Sequence, residues 1–266
     1  MTSYPRTALV VGLVAGSAIA AVTGNRQAVA RPPPPTAPAE KRVDPEADRL
    51  LRQMTDYLAG LSSFQVMSSS ADEVVTKDGR KIDITADSQV SVARPNQIRS
   101  EEIGVPHALA FWDDGKTMTL YCKGNNTFAT VPAPPSLDAT FDTLRKSYKI
   151  DAPGADLLYS KPYDVLTEQV TGGMVIGKET VDGVLANHLA FQGEEVDWQV
   201  WIQDGAQPLP LRYEITTKTM AHEPEFTVRL SHWQPQPQLA ASTFQFEPPA
   251  GAKQVAAFPT SCGAPH

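Results

Sequence analysis

The sequence predicts a mainly β, α+β domain, in which a curved antiparallel sheet of about ten strands is covered on one face by helices. Three observations predict it. Short runs of alternating apolar and polar residues recur between turn signals such as Asp78-Gly79, Asp114-Gly115, Asp182-Gly183 and Asp204-Gly205, the pattern of half-buried strands joined by hairpins. Apolar residues at three- and four-residue spacing occur near the start of the folded part and again in its middle. The 266 residues are 41% hydrophobic and 20% charged, which suffices for one large domain or two small ones. A sheet this wide curls because strands twist, and one face needs a cover.

Ahead of the folded part, Arg6 precedes an uncharged apolar run from Ala8 to Val22. That run is about 15 residues, short of the roughly 20 a spanning helix needs. A small-x-small site follows at Ala28-Val29-Ala30. Residues 1–30 therefore read as a cleavable secretory signal, or as an uncleaved N-terminal anchor, and the expected location is the periplasm. Neither cysteine lies near the cut, so no lipid anchor is expected. Residues 31–43, beginning Arg31-Pro32-Pro33-Pro34-Pro35, read as a disordered Pro-rich linker. The domain is expected over 44–255, with a flexible tail over 256–266.

Asp44-Pro45-Glu46 is a helix start, with an N-cap Asp and Pro at the first helical position. Leu50, Leu51, Met54, Tyr57, Leu58 and Leu61 then form an apolar stripe suited to burial against a sheet. From Phe64 strands begin. They turn at 77–80, at Arg94-Pro95-Asn96, at 113–116 and at 123–126, predicting a meander of five or six strands that ends near Val131. Ser136 to Tyr148, with Leu137, Phe141 and Leu144 at helical spacing, is predicted helical up to Pro153-Gly154. Ala155–Tyr159 and Pro162–Val170 are expected as short helices. Gly172, Gly173 and Gly177 surround Val175-Ile176, and no strand is assigned there. Strands resume over 187–191, 196–202, 211–219, 226–232 and 244–246, predicting a second meander beside the first.

Charge and motifs exclude more than they assign. The net charge is −7 with no basic block, so nucleic acid is not an expected partner. No Gly-x-Ser-x-Gly elbow, phosphate-binding glycine loop or His-Glu-x-x-His occurs, and no catalytic residue, metal or cofactor is assigned. The histidines at 107, 188, 222, 232 and 266 are scattered. His222, with Glu223 and Glu225, lies at a turn and lacks metal-ligand spacing. His188 reads as a strand histidine bonded to a neighbour rather than a base. Glu194, Glu195 and Asp197 read as a solvated hairpin. Cys122 and Cys262, the two cysteines, either pair once in an oxidising compartment or stay unpaired.

The apolar inventory is more directive. Val196, Trp198, Val200 and Ile202 share one strand face, as do Leu211, Tyr213 and Ile215, and Phe226, Val228 and Leu230. Trp198, Val200, Ile202, Leu211, Tyr213, Ile215, Phe226, Val228 and Leu230 are predicted to line a concave apolar surface. Such a surface holds a guest by hydrophobic burial alone, about 0.8 kcal/mol per buried CH₂.

Several stretches carry a family resemblance. They are His188-Leu189-Ala190-Phe191, Asp197-Trp198-Gln199-Val200-Trp201-Ile202, Pro208-Leu209-Pro210-Leu211-Arg212, the ending Phe244-Gln245-Phe246-Glu247-Pro248-Pro249-Ala250-Gly251-Ala252, and Asp113-Asp114-Gly115-Lys116. Together they resemble the predicted periplasmic family called domain of unknown function 2092, over roughly 44–255. That family is similar in fold to the lipoprotein carriers LolA and LolB. The resemblance implies a half-open antiparallel barrel plugged by helices. It further implies a hydrophobic small molecule or a lipidated protein as partner, with peripheral envelope association. A cysteine often precedes the His-Leu-Ala-Phe run in the family, whereas Ala186 and Asn187 stand here, so a disulfide using that position is not expected. The competing expectation is an interaction or stress-sensing envelope protein whose cavity its own helices fill.

Overall fold

An N-capped helix opens the fold and two meanders follow. The computed structural model describes residues 42–103, 109–150 and 152–258. The expected signal peptide, most of the linker, His107, Cys262 and His266 lie outside the described residues. Every described residue belongs to one compact unit.

Strand β1 (Arg42–Val43) runs parallel to Gly172 and Gly173, so the end of the expected linker is ordered by pairing. Helix α1 (Pro45–Gly60) starts as the sequence predicts. The Asp44 side chain accepts the Glu46 N–H at 2.8 Å, which satisfies one of the donors that a helix start leaves open. Ala47, Leu50, Leu51, Met54 and Leu58 are buried along one face.

The first meander comprises β2 (Ser63–Val75), β3 (Lys81–Ala93), β4 (Gln97–Ile103), β5 (Leu109–Asp113), β6 (Thr117–Cys122) and β7 (Thr127–Pro132). The second comprises β8 (Val170–Val181), β9 (Val184–Gly193), β10 (Val196–Gln203), β11 (Pro210–Thr217) and β12 (Glu225–Pro235). Strand β12 pairs antiparallel with β2, which fuses the meanders into one curved, open sheet. With β1 at one edge and β13 (Lys253–Gln254) parallel to β7 at the other, the described strands form a 13-stranded sheet.

Topology decides where the helices go. β7 and β8 lie near opposite edges of the sheet, so the connection between them must cross it. That connection holds α2 (Leu137–Thr143), a π-helical turn (Leu144–Tyr148), a 3-10 turn (Ala155–Leu158) and α3 (Pro162–Thr167). Its apolar residues join those of α1 and of the inner sheet face in one core cluster.

Four expectations need correcting. The glycine-rich stretch at 172–177 is part of a 12-residue strand, β8. A Cβ on Gly173 would sit 2.5 Å from the Phe191 ring, so the absent side chain makes room for a neighbour and is no loop signal. Residues 244–246 are not a strand; Ala241–Phe244 is a 3-10 turn that buries Phe244. Leu211 does not share a face with Tyr213. A bulge sets Trp201 opposite Arg212 and Ile202 opposite Pro210, and the extra residue sends Leu211 to the outer face, where it packs with Ala186 and Trp201. The expected tail also begins too early, because Phe258 is buried with its ring centroid 4.5 Å from that of Tyr148.

Candidate functional site

The helical cover leaves part of the inner face unfilled. A cavity of about 320 Å³ lies between the first meander, β12 and the crossing segment, at the lower end of the range for small-molecule sites, about 300–1,000 Å³. Its floor is built strand by strand by alternation: Phe226, Val228 and Leu230 from β12, Phe64 and Val66 from β2, Val90 from β3, and Ile98 from β4. Phe111 of β5 and Leu120 of β6 close the far wall. Leu58 of α1, Phe141, Leu144, Ile150, the stretch from Ala152 to Ala155, Leu157 and Leu158 form the roof. Strands as distant in order as β12 and β6 reach one cavity because the sheet between them curves.

Polar contacts fix the roof to the sheet. The Thr140 hydroxyl of α2 donates to Asp113 Oδ2 at 2.8 Å, and the Gly115 N–H donates to Oδ1 at 2.9 Å. Asp113 is fully buried, and burial raises its carboxyl above the usual range although both donors act to lower it. Arg94 Nη1 donates to the Leu158 carbonyl at 2.9 Å, pinning the 3-10 turn. Ser160 donates through its N–H and its hydroxyl to Asp138 at 2.8 and 2.6 Å. Burial pushes the Tyr159 phenol up to about 12, helped by Asp142, whose carboxylate accepts its hydroxyl.

The residues predicted from sequence divide into three groups. Phe226, Val228 and Leu230 line the cavity. Trp198, Val200, Ile202 and Tyr213 are buried in the protein's own core with Ile215 packed against them. The Trp198 ring stacks on Phe191 at 4.2 Å and meets Tyr213 edge-on at 5.8 Å, and burial strongly raises the Tyr213 phenol. Leu211 lies on the outer face. Sequence reasoning missed the residues of β2 to β6 that line most of the floor. Their alternation was legible, but hydropathy alone does not tell a lined cavity from a filled core.

The polar candidates lie on the other face. His188 Nδ1 lies 2.8 Å from Glu179 Oε1, and its Nε2 lies 2.9 Å from Gln199 Oε1. Gln199 Nε2 donates to Glu214, which also accepts from Arg212. The His188 ring stacks on Trp201 at 4.0 Å, and the Arg212 guanidinium sits 4.5 Å from the Trp201 ring centroid. His188 is thus a strand histidine bonded to its neighbours. His222 sits in a turn at positive φ, followed by Glu223 in the same region. Among the described residues no group of three or more His, Cys, Asp or Glu is placed to hold a metal ion, and no helix is long and apolar enough to cross a membrane. Cys122 is fully buried and disulfide-bonded; the expected partner, Cys262, lies outside the described residues.

Among curated proteins, none matches the chain by sequence. Solved structures similar to it include the lipoprotein LppX of Mycobacterium tuberculosis, at 16% identity over 74% of this chain and 98% of that one, with a TM-score of 0.48. LprF of Mycobacterium bovis is 17% identical over 74% and 96%, with a TM-score of 0.46. A LolA superfamily protein of Nitrosomonas europaea is 11% identical over 75% and 97%, with a TM-score of 0.35. The model of one family, described as predicted periplasmic protein, matches residues 47–257. Covering most of the chain and nearly all of its folded part, that match places this protein in the family DUF2092.

Proposed function

We propose that the protein is a periplasmic, non-catalytic binding protein that holds an apolar guest, the acyl chain of a lipid or of a lipidated protein, beneath its helical roof. The observation that carries this is the cavity of about 320 Å³ walled largely by Phe, Val, Leu and Ile side chains. Burying apolar surface there stabilises a complex by about 25 cal/mol per Å², and no reacting group is needed for it. Residues 1–30 fit this reading as a cleavable export signal, with a Pro-rich linker from residue 31 ahead of the fold. A second reading, an envelope interaction protein that fills its own interior, is favoured by the packing of Trp198, Val200 and Ile202 in the core.

Two measurements separate the readings. Native mass spectrometry of protein purified gently from a periplasmic extract is expected to show an acyl-bearing adduct. The neutral dye Nile red is expected to bind the stripped protein and to lose about tenfold affinity in Leu230→Trp, about 1.4 kcal/mol, because the indole occupies the guest's space. An adduct-free protein whose Nile red binding is untouched by Leu230→Trp supports the self-filled reading instead.

A further inference from the structure

The cavity wall is not uniformly apolar, and its one polar band has a definite sign. On the inner face Ser68 of β2 lies opposite Ser88 of β3, and Ser88 lies opposite Glu102 of β4. These three residues form one row across neighbouring strands. Ser70 and Ser100 flank the row, and all five line the cavity. The Ser70 hydroxyl donates to the Ala86 carbonyl at 3.2 Å. The hydroxyls of Ser68, Ser88 and Ser100 have no protein partner among the described residues. Glu102 accepts the Leu109 N–H at 2.9 Å, which uses one of its several acceptor sites. No Lys, Arg or His is among the described lining residues. Among the described residues, Lys123 bonds Glu101 and the Glu102 carbonyl, and Arg99 pairs with Glu101.

The row also separates two kinds of wall. On one side Val66, Val90, Phe64 and Ile98 continue the register toward the closed end under the helices. On the other side the same face runs out to Ile84, Val74 and Ile82, which are exposed. An acyl chain lying at the closed end therefore places the group it is attached to beside hydroxyls and a carboxylate. Hydroxyls donate or accept, whereas a carboxylate only accepts. An anionic headgroup seated there meets a like charge, and no Lys or Arg side chain among the described lining residues faces it.

Resting on the reading of the cavity as a guest site, we propose that its occupant is an amphiphile whose acyl chain is joined to an uncharged, hydrogen-bond-donating group, a hydroxyl or an amide, seated on Ser68, Ser88 and Glu102. Free fatty-acid anions and other acyl anions are selected against by Glu102.

The test uses two probes of one chain length, monomyristin and tetradecanoate, titrated calorimetrically into the delipidated protein at pH 8 below their micelle concentrations. Monomyristin is expected to bind at least about tenfold tighter than tetradecanoate. Glu102→Gln is expected to narrow that gap by strengthening tetradecanoate binding. The double variant Ser68→Ala/Ser88→Ala is expected to weaken monomyristin by about tenfold and to leave tetradecanoate within about twofold. Circular dichroism melts confirm that each variant is folded. Equal or tighter binding of tetradecanoate, or a gap unmoved by Glu102→Gln, overturns the assignment of polarity and leaves the apolar guest standing. Binding of neither probe overturns the guest reading itself.

Discussion

Asp113 shows how a single carboxyl couples sheet to roof. It sits at the end of β5, accepts from the turn at Gly115 and from Thr140 on α2, and is fully buried. Its raised pKa fixes the sign of its pH dependence. A group whose folded pKa lies above its unfolded value, here 3.8, contributes stability below that value and loses it as pH rises through the folded pKa. Asp113→Asn keeps an acceptor and removes the charge. The stability of this variant relative to wild type is therefore expected to rise between pH 4 and neutrality, as read by urea unfolding across that range. Asp113→Ala leaves the Gly115 and Thr140 donors unpaired and is expected to cost about 1–3 kcal/mol. Tyr159 follows the same rule at high pH. With its phenol at about 12 against an ordinary value of 10, stability is expected to fall above pH 10, and Tyr159→Phe to flatten that fall in thermal melts.

Among the elements, β8 is where local signals and tertiary structure part. Three glycines in eight residues, Gly172, Gly173 and Gly177 in the span 170–177, read as a break by propensity. In the fold Gly173 faces the Phe191 ring and Val43, with no room for a side chain. Gly173→Ala is expected to destabilise by about 1–3 kcal/mol through overpacking. Gly183, in the β8–β9 turn, has nothing within reach of an added Cβ. It has φ +83°, however, so Gly183→Ala suffers from backbone strain rather than from crowding. A high-resolution structure of each variant distinguishes the two causes, with the Phe191 ring displaced only in Gly173→Ala. The β10–β11 bulge is the other element-scale event. It turns Leu211 from the inner face to the outer one, which strict alternation does not anticipate.

For the whole domain, the sheet is held by neighbours in sequence almost everywhere, and the β12–β2 pairing and the edge strands supply the long-range closures. Cys122 adds a covalent one from within β6. Pairing with Cys262, the only other cysteine, closes a loop of roughly 140 residues, and reduction is expected to cost about 2–4 kcal/mol. A digest without reductant is expected to yield the two cysteine peptides as one linked mass. A digest that leaves both cysteine peptides unlinked refutes that pairing.

Neighbouring residues specify the local grammar of this fold. The Asp44 cap, the α1 stripe, the Asp-Gly and Asn-containing turns and the alternation of the strands depend on residues a few positions apart, and their geometry follows from backbone stereochemistry. The family motifs from His188 to Arg212 are legible for the same reason. The location of the cavity follows from long-range packing instead. Trp198 and Val200 carry the same hydropathy pattern as Val228 and Leu230, yet the first pair is packed into the core and the second lines the cavity. That outcome depends on how the crossing segment 133–169 lies over a sheet whose curvature is a sum over many strands. Short-range pattern sets which face is apolar, and long-range packing sets how much of that face is left uncovered.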